Sequence, residues 1–384
     1  MSAGPPIATA TTAPSPSVRS RSLLRLVLEE GGPGVTYFAL TNACNARCEF
    51  CNFSRDKLPR AAWKFVDRQG AFDAIDILLR QGIRYLVLYG GEPLLHPDVG
   101  AIARRATERG MSPLLITNGA LLKPHRVREL ADAGIRQFVI SIDAASVEIH
   151  EDNRGLPGVC GRIREAVRTL DELGLSPIAS VTMSRLVDYE ALPGFLQSLG
   201  FRSVCFSYPI NHLGSSFLGF SDSRLVNYAT EELVEAFERV KRLKRRLHVT
   251  NPTASLEEMQ RFARGEAQRF ECLGGYRYFH LDWNLDVWRC HFWDRPMCSI
   301  YEFDSAQRIR DGCTRCMIDC YRDSSVLQQV AVSVHDAYRA AGGGRWREAA
   351  GALTRRQNWS SIGALLEELP YVSRFASRRA AARP

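Results

Sequence analysis

The chain has no apolar run approaching the ~20 residues that a membrane-spanning helix needs. Its start pairs no basic segment with an apolar core, so no secretory signal is expected. Histidine is scarce, eight in 384 residues, and no two sit at ligand spacing. A histidine-built metal site is therefore not expected. Neither sign of charge dominates: 50 basic against 42 acidic residues give +8. The densest basic run, Lys241-Arg-Leu-Lys-Arg-Arg246, closes a helical pattern that opens at Thr230-Glu-Glu. Acid at the start and base at the end complement the helix dipole, so a nucleic-acid patch is not expected. Residues from Met1 to about Arg19 lack aromatics and are rich in Ala, Thr, Ser and Pro. They predict a disordered leader over 1–30, with a short helix near Leu23–Leu28.

Cysteine is what the chain does hold: eleven, and clustered. A disulfide scaffold is usually small and secreted, whereas clustered thiols in a chain this long point to metal in a reducing compartment, here the cytoplasm. Cys44, Cys48 and Cys51 are spaced C-x3-C-x2-C, directly after the apolar run Val35–Leu40. A [4Fe–4S] cube normally takes four thiolates, so a tight group of three implies one open iron. A structural zinc site or buried thiols remain the bland alternatives.

Beyond that loop the pattern alternates. Helices are predicted over 66–81, 97–109, 124–133, 159–173 and 189–199, nearly all stopped by Gly. Strands are predicted over 84–89, 113–117, 137–142, 177–183 and 203–208. With the strand before Cys44 these make six, which predicts parallel strands joined by right-handed crossovers. The expected fold is α/β: a partial, TIM-like (β/α)6 barrel over 31–250 with a small cysteine-rich extension over 251–325. A helical tail over 326–384 follows. Ligands of such sheets bind at the carboxyl ends of the strands. There the sequence places the cysteine loop, Gly90-Gly91-Glu92-Pro93, Thr117-Asn118-Gly119, Ser141-Ile-Asp143 and, in the next loop, Arg154. Each motif alone reads as a turn; together they line one rim.

This order of motifs, from about Thr36 to Tyr208, resembles the radical S-adenosylmethionine (SAM) superfamily. The resemblance implies that Cys44, Cys48 and Cys51 hold the cube and that SAM chelates its fourth iron. Phe50 would lie beside the adenine. Gly90, Gly91, Glu92 and Pro93 would receive the SAM ammonium, Ser141 and Asp143 the ribose, and Asn118 the methionine part. Arg154 would pair with the SAM carboxylate, although a loop arginine is ordinarily just solvated. The resemblance further implies reductive cleavage to a 5′-deoxyadenosyl radical, fed by an electron donor such as flavodoxin or ferredoxin.

Six more cysteines fall within 49 residues: Cys272, Cys290, Cys298, Cys313, Cys316 and Cys320. A hairpin ending in Cys272 and Cys290, followed by Cys313-x2-Cys316, resembles the twitch or SPASM auxiliary-cluster regions of the same superfamily. Those regions usually carry Gly five residues before the second cysteine, where this chain has Leu285. One auxiliary [4Fe–4S] cluster on Cys272, Cys290, Cys313 and Cys316 is implied, with Cys298 and Cys320 as substitutes or extras. A zinc ribbon is the plainer alternative. Cys160 and Cys205 read as small buried side chains, and Trp283, Trp288 and Trp293 as core. The substrate is expected to be a small molecule or a peptide, oxidised or rearranged after hydrogen abstraction. The short leader offers no evident peptide-recognition segment. Adenosyl addition to an isoprenoid or hopanoid-type lipid is the second reading, and a non-catalytic iron–sulfur or zinc module the third.

Overall fold

The computed structural model describes residues 23–209 and 223–381. Its elements, in order, begin with α1 (Leu23–Glu30), β1 (Gly34–Thr41), α2 (Arg68–Arg80), β2 (Ile83–Gly90) and α3 (Val99–Glu108). Then come β3 (Ser112–Thr117), α4 (Pro124–Asp132), β4 (Gln137–Ile142), α5 (Val147–Arg154), α6 (Val159–Glu172) and β5 (Ile178–Thr182). Next are α7 (Leu192–Ser198), β6 (Ser203–Ser207), α8 (Thr230–Leu243), β7 (His248–Val249), α9 (Thr253–Ala263) and β8 (Tyr278–Leu281). The chain closes with β9 (Asp286–Trp288), β10 (Cys298–Ser299), α10 (Asp319–Gly342), α11 (Trp346–Leu353) and α12 (Arg356–Ala381).

The six predicted strands are β1 to β6, paired parallel in sequence order. The sheet is open, a partial barrel. Its helix-facing side chains, among them Phe38, Leu86, Leu115, Ile140, Val181 and Phe206, are fully buried against the crossover helices. Local chemistry sets the element ends. The Asp67 carboxylate accepts the Gly70 N–H at 2.8 Å and starts α2, as an N-cap aspartate does. Gly82, at φ +77°, ends it in a conformation side chains avoid.

One expectation needs correction. The loop expected around Arg154 is helix α5, whose N-cap is Ser146 and whose end is Gly155 at φ +58°. Of the expected leader, residues 1–22 lie outside the described residues, and the short helix expected near Leu23–Leu28 is α1. That helix is docked, since the His335 ring donates to the Leu28 carbonyl at 2.7 Å from α10. The extension also differs in placement. Strand β8 pairs parallel with β1 on the side away from β2, and β9 and β10 continue the sheet antiparallel. The expected division at residue 250 therefore runs through one continuous sheet. In the β8–β9 turn Leu285 has φ +66°. The backbone there keeps the left-handed geometry that glycine favours, while the leucine side chain is buried in the core.

Arg277 leads into β8 and is fully buried. It donates to the Gly32 carbonyl and lies 3.3 Å from Glu30 Oε2, tying α1 and β1 to β8. Truncation leaves Glu30 without this partner and opens a cavity. Arg277→Ala is expected to cost about 3–5 kcal/mol, read as a lower urea midpoint with an unchanged slope.

Candidate functional site

The cysteine loop is fixed by backbone contacts before any metal is considered. The Gly91 N–H donates to the Thr41 carbonyl at 2.9 Å and the Glu92 N–H to the Ala43 carbonyl at 2.7 Å. Both bonds require the two strand ends to approach without side chains. A β-carbon on Gly91 would stand 2.2 Å from the Ala43 oxygen, and one on Gly90 2.2 Å from the Thr41 oxygen. The far side of the loop is held by α5: the Arg47 N–H donates to the Arg154 carbonyl at 2.9 Å. Asn118 closes the arc, its Nδ2 donating to Asn45 Oδ1 at 2.7 Å.

The three thiols Cys44, Cys48 and Cys51 lie within electrostatic range of one another and of Arg154. Burial pushes the Cys44 thiol up to about 12 and raises Cys48 and Cys51 as well. Phe50 is buried beside them. Without a metal these thiols stay protonated at neutral pH, so loading metal must release protons.

Glu92 is fully buried, and burial raises its carboxyl. Its Oε1 accepts from Thr117 Oγ1 at 2.7 Å and the Leu94 N–H at 3.1 Å, and Oε2 from the Asn118 N–H at 2.8 Å. An ionised carboxylate offers about four acceptor sites, so one remains. Asp143 and Arg154, predicted to meet different parts of one ligand, meet each other: Nη2 lies 2.6 Å from Oδ1, both residues buried. Burial alone would raise the Asp143 carboxyl, but the Arg154 charge holds it below its ordinary value. Arg154 Nε is buried and has no hydrogen-bond partner among the described residues. Ser141 Oγ donates to the Thr117 carbonyl at 3.3 Å, on the rim formed by the ends of β3 and β4. Pro93 opens a short 3-10 turn after β2. The predicted rim residues thus converge, and a cation with a free N–H and a carboxylate with a free lone pair both flank the thiols.

The second cysteine group is also brought together. Cys272, Cys290, Cys313, Cys316 and Cys320 share one cluster with Tyr278 and Tyr321, and Cys320 lies within electrostatic range of Cys272, Cys290 and Cys316. Cys298 does not join them; it sits on β10, its thiol 3.3 Å from Gln307 Oε1. Burial pushes Cys290 up to about 11 and Cys316 up to about 12. Buried Arg289 and Arg322 face this group and would balance thiolate charge. Among the described residues no three His, Cys, Asp or Glu side chains converge tightly enough for a single ion. A zinc ion draws its thiolates to about 2.3 Å, whereas a cube spreads them over its corners. The donor type and the flanking cations fit a cube at both groups. Of the tryptophans expected as core, Trp288 is buried and donates to Asp282 at 3.0 Å, whereas Trp283 and Trp293 are only half-buried at the edges of their clusters. Cys160 is buried in α6, and Cys205 lies on β6.

Against the second group lies a cluster that the sequence reading missed. Tyr37, Tyr89, His280, His291 and Tyr321 interlock, mostly edge to face, with Tyr37 and Tyr321 tilted at 49°. His280 Nδ1 is 3.1 Å from the Tyr37 carbonyl, so it carries the proton. It reaches the Tyr89 hydroxyl at 2.8 Å, and that hydroxyl donates on to His291 Nε2. Burial lowers His291 to about 3 and holds His280 well below its ordinary value. Tyr37 donates to the Cys320 carbonyl at 3.2 Å. Tyr89 directly precedes Gly90, and His291 and Tyr321 each directly follow a cysteine. Adjacency to the motifs was the available signal.

The family model described as the radical SAM superfamily matches residues 38–188. This chain carries a radical SAM domain. An AdoMet-dependent heme synthase of Methanosarcina barkeri is 33% identical over 160 residues, covering 42% of this chain and 45% of that protein. The mycofactocin maturase MftC of Mycobacterium tuberculosis is 32% identical over 148 residues, 38% of this chain and 36% of the other. The chain thus spans less than half the length of these curated relatives. Among solved structures, Streptococcus suis SuiB bound to the precursor peptide SuiA aligns with TM-score 0.53 at 14% identity. It covers 70% of this chain and 61% of its own. AdoMet-bound anSMEcpe gives TM-score 0.53 at 12% identity over 90% of this chain and 99% of that one. Both show the shared radical SAM fold.

Gly91→Ala forces a methyl group onto a backbone oxygen that cannot rotate away. The expected loss is about 2 kcal/mol or more, read in urea unfolding. His150 is fully buried and burial lowers it to about 4; in the unfolded chain it titrates near 6.5. The unfolded state therefore binds the extra proton between these values. Stability is full above pH ~6.5 and falls by up to about 3 kcal/mol as pH drops towards 4. In His150→Gln the melting temperature should lose that slope.

Proposed function

We propose that the protein is a radical SAM enzyme with one SAM-binding [4Fe–4S] cluster and one auxiliary cluster. Cys44, Cys48 and Cys51 hold the first. When bound, cluster and SAM together supply a 5′-deoxyadenosyl radical by one-electron cleavage of the sulfonium. The chain's own part is to bind and orient. Arg154 offers its unpartnered Nε to the SAM carboxylate, while Asp143 keeps the guanidinium charged and in place. Glu92 offers its remaining lone pair to the ammonium, beside the side-chain-free backbone of Gly90 and Gly91. Asn118 and Ser141 bound the rim where the methionine and ribose parts lie, and Phe50 lines the adenine side. The observation that carries this reading is the convergence of three thiols with one buried cation, whose Nε has no partner among the described residues, at the ends of parallel strands.

Residues 251–325 act as a twitch- or SPASM-like region. Its auxiliary cluster takes four ligands from Cys272, Cys290, Cys313, Cys316 and Cys320; Cys298 is not among them. The substrate is a small molecule or a peptide that loses hydrogen. The peptide class is supported by the MftC relative, named a maturase, and by the SuiB fold, solved with a precursor peptide. A flavodoxin- or ferredoxin-type donor supplies the electron.

Anaerobically reconstituted protein should hold about eight iron and matching sulfide, and release 5′-deoxyadenosine with SAM and dithionite. Cys48→Ala should lose about four iron and all release. Cys272→Ala should lose about four iron and keep release, and Cys298→Ala should lose none. Stoichiometric zinc without sulfide in the wild type would overturn the proposal. The product mass decides the reaction: two hydrogens lost, against an adenosyl group gained by a lipid.

A further inference from the structure

The last two helices present their apolar side to solvent. Along α12 the exposed positions include Trp359, Ile362, Leu365, Leu366 and Leu369, spaced by three and four; Trp359 is 72% exposed. Its inward positions are small or polar. Ser361 Oγ donates to the Leu327 carbonyl at 3.2 Å. Glu367 pairs with Lys244 at 2.6 Å and Glu368 with His248 at 3.1 Å. In α11 the same inversion holds: Ala349 and Ala352 are buried, while Trp346 is 70% exposed and Leu353 stands outside. An ordinary surface helix buries its apolar stripe, and a contiguous exposed patch marks a binding surface.

Charge identifies the occupant. Residues 345–384 hold eight arginines against three glutamates and no lysine or aspartate, more than half of the chain's net +8. Glu367 and Glu368 are half-buried against Lys244 and His248, Glu348 pairs with Arg345 at 3.0 Å, and Arg355 pairs with Asp336 at 3.0 Å. Among the described residues, the outward side of these helices is apolar, with the exposed Arg347 and Arg356 beside it. A second copy of this chain would bring like charges together. No described helix is long and apolar enough to cross a membrane, but a helix with Trp and Leu on one side and arginine beside it suits the plane of an anionic bilayer. We propose that α11 and α12 dock on an anionic membrane surface, with Trp346, Trp359, Leu366 and Leu369 seated among the lipid chains.

The test is sedimentation of the full-length, cluster-loaded protein with vesicles of phosphatidylcholine, alone or mixed with phosphatidylglycerol. Binding to the mixed vesicles is expected, at least about tenfold weaker on the neutral ones and weakened by salt, with a blue shift of indole emission. The double variant Trp359→Ser, Leu366→Ser should bind at least about tenfold less with unchanged melting temperature and iron content. Leu369→Glu alone serves if the double variant unfolds. Absence of binding to both vesicles, or equal binding by the variants, would overturn the proposal. So would a concentration-dependent dimer, or capture of a soluble protein, abolished by the same substitutions without vesicle binding.

Discussion

The whole rim depends on two strand ends meeting backbone to backbone. Gly90 and Gly91 let β2 close on the chain that leaves β1, and the hydrogen bonds to Thr41 and Ala43 set where the cysteine loop begins. The glycines thus serve the protein's own backbone as well as any approaching ligand. Once that seam is closed, Glu92 is driven inward, where it gathers Thr117 and Asn118 from β3. Asn118 in turn grips Asn45 in the cysteine loop. One steric permission therefore aligns three strand ends around the thiols.

Burial is what these groups share, and it cuts two ways. A buried carboxylate or guanidinium is costly alone, yet Asp143 and Arg154 sit against each other. Arg154 satisfies Asp143 through Nη2 and leaves Nε unspent. The thiols beside it are raised by the same desolvation. They become stable anions only when metal supplies positive charge. The site is therefore arranged for loading: a fixed cation, a fixed anion, and three protons ready to leave. The auxiliary group repeats this arrangement with Arg289 and Arg322.

The alternation of strands and glycine-stopped helices was legible because each element carries its own period. The rim followed because parallel sheets put their loops on one end. What escaped is what periodicity cannot encode. Strand β8 is four fully buried residues, too short and too uniformly buried to show an alternating face, so its union with β1 was hidden. Leu285 stands where the glycine pattern is broken in sequence, yet its backbone has φ +66°; the left-handed turn here is made without the residue that usually signals it. The aromatic–imidazole cluster draws on β1, β2, β8, α10 and the segment after Cys290. No window of sequence contains it.

The C-terminal helices show a different limit. Amphipathicity read from sequence gives the width of an apolar stripe but not its direction. On α12 the core took the weaker side, because Lys244 and His248 on one side and the Ser361 hydroxyl on another offered polar partners. Pairing with those groups half-buries the two glutamates, and the outward face described is left apolar. A fold that needed α12 only as a cover would gain more by burying Trp359 and Leu366, worth roughly 1.5–3 kcal/mol each. That burial is forgone, so packing against the barrel does not account for the apolar residues on the exposed face.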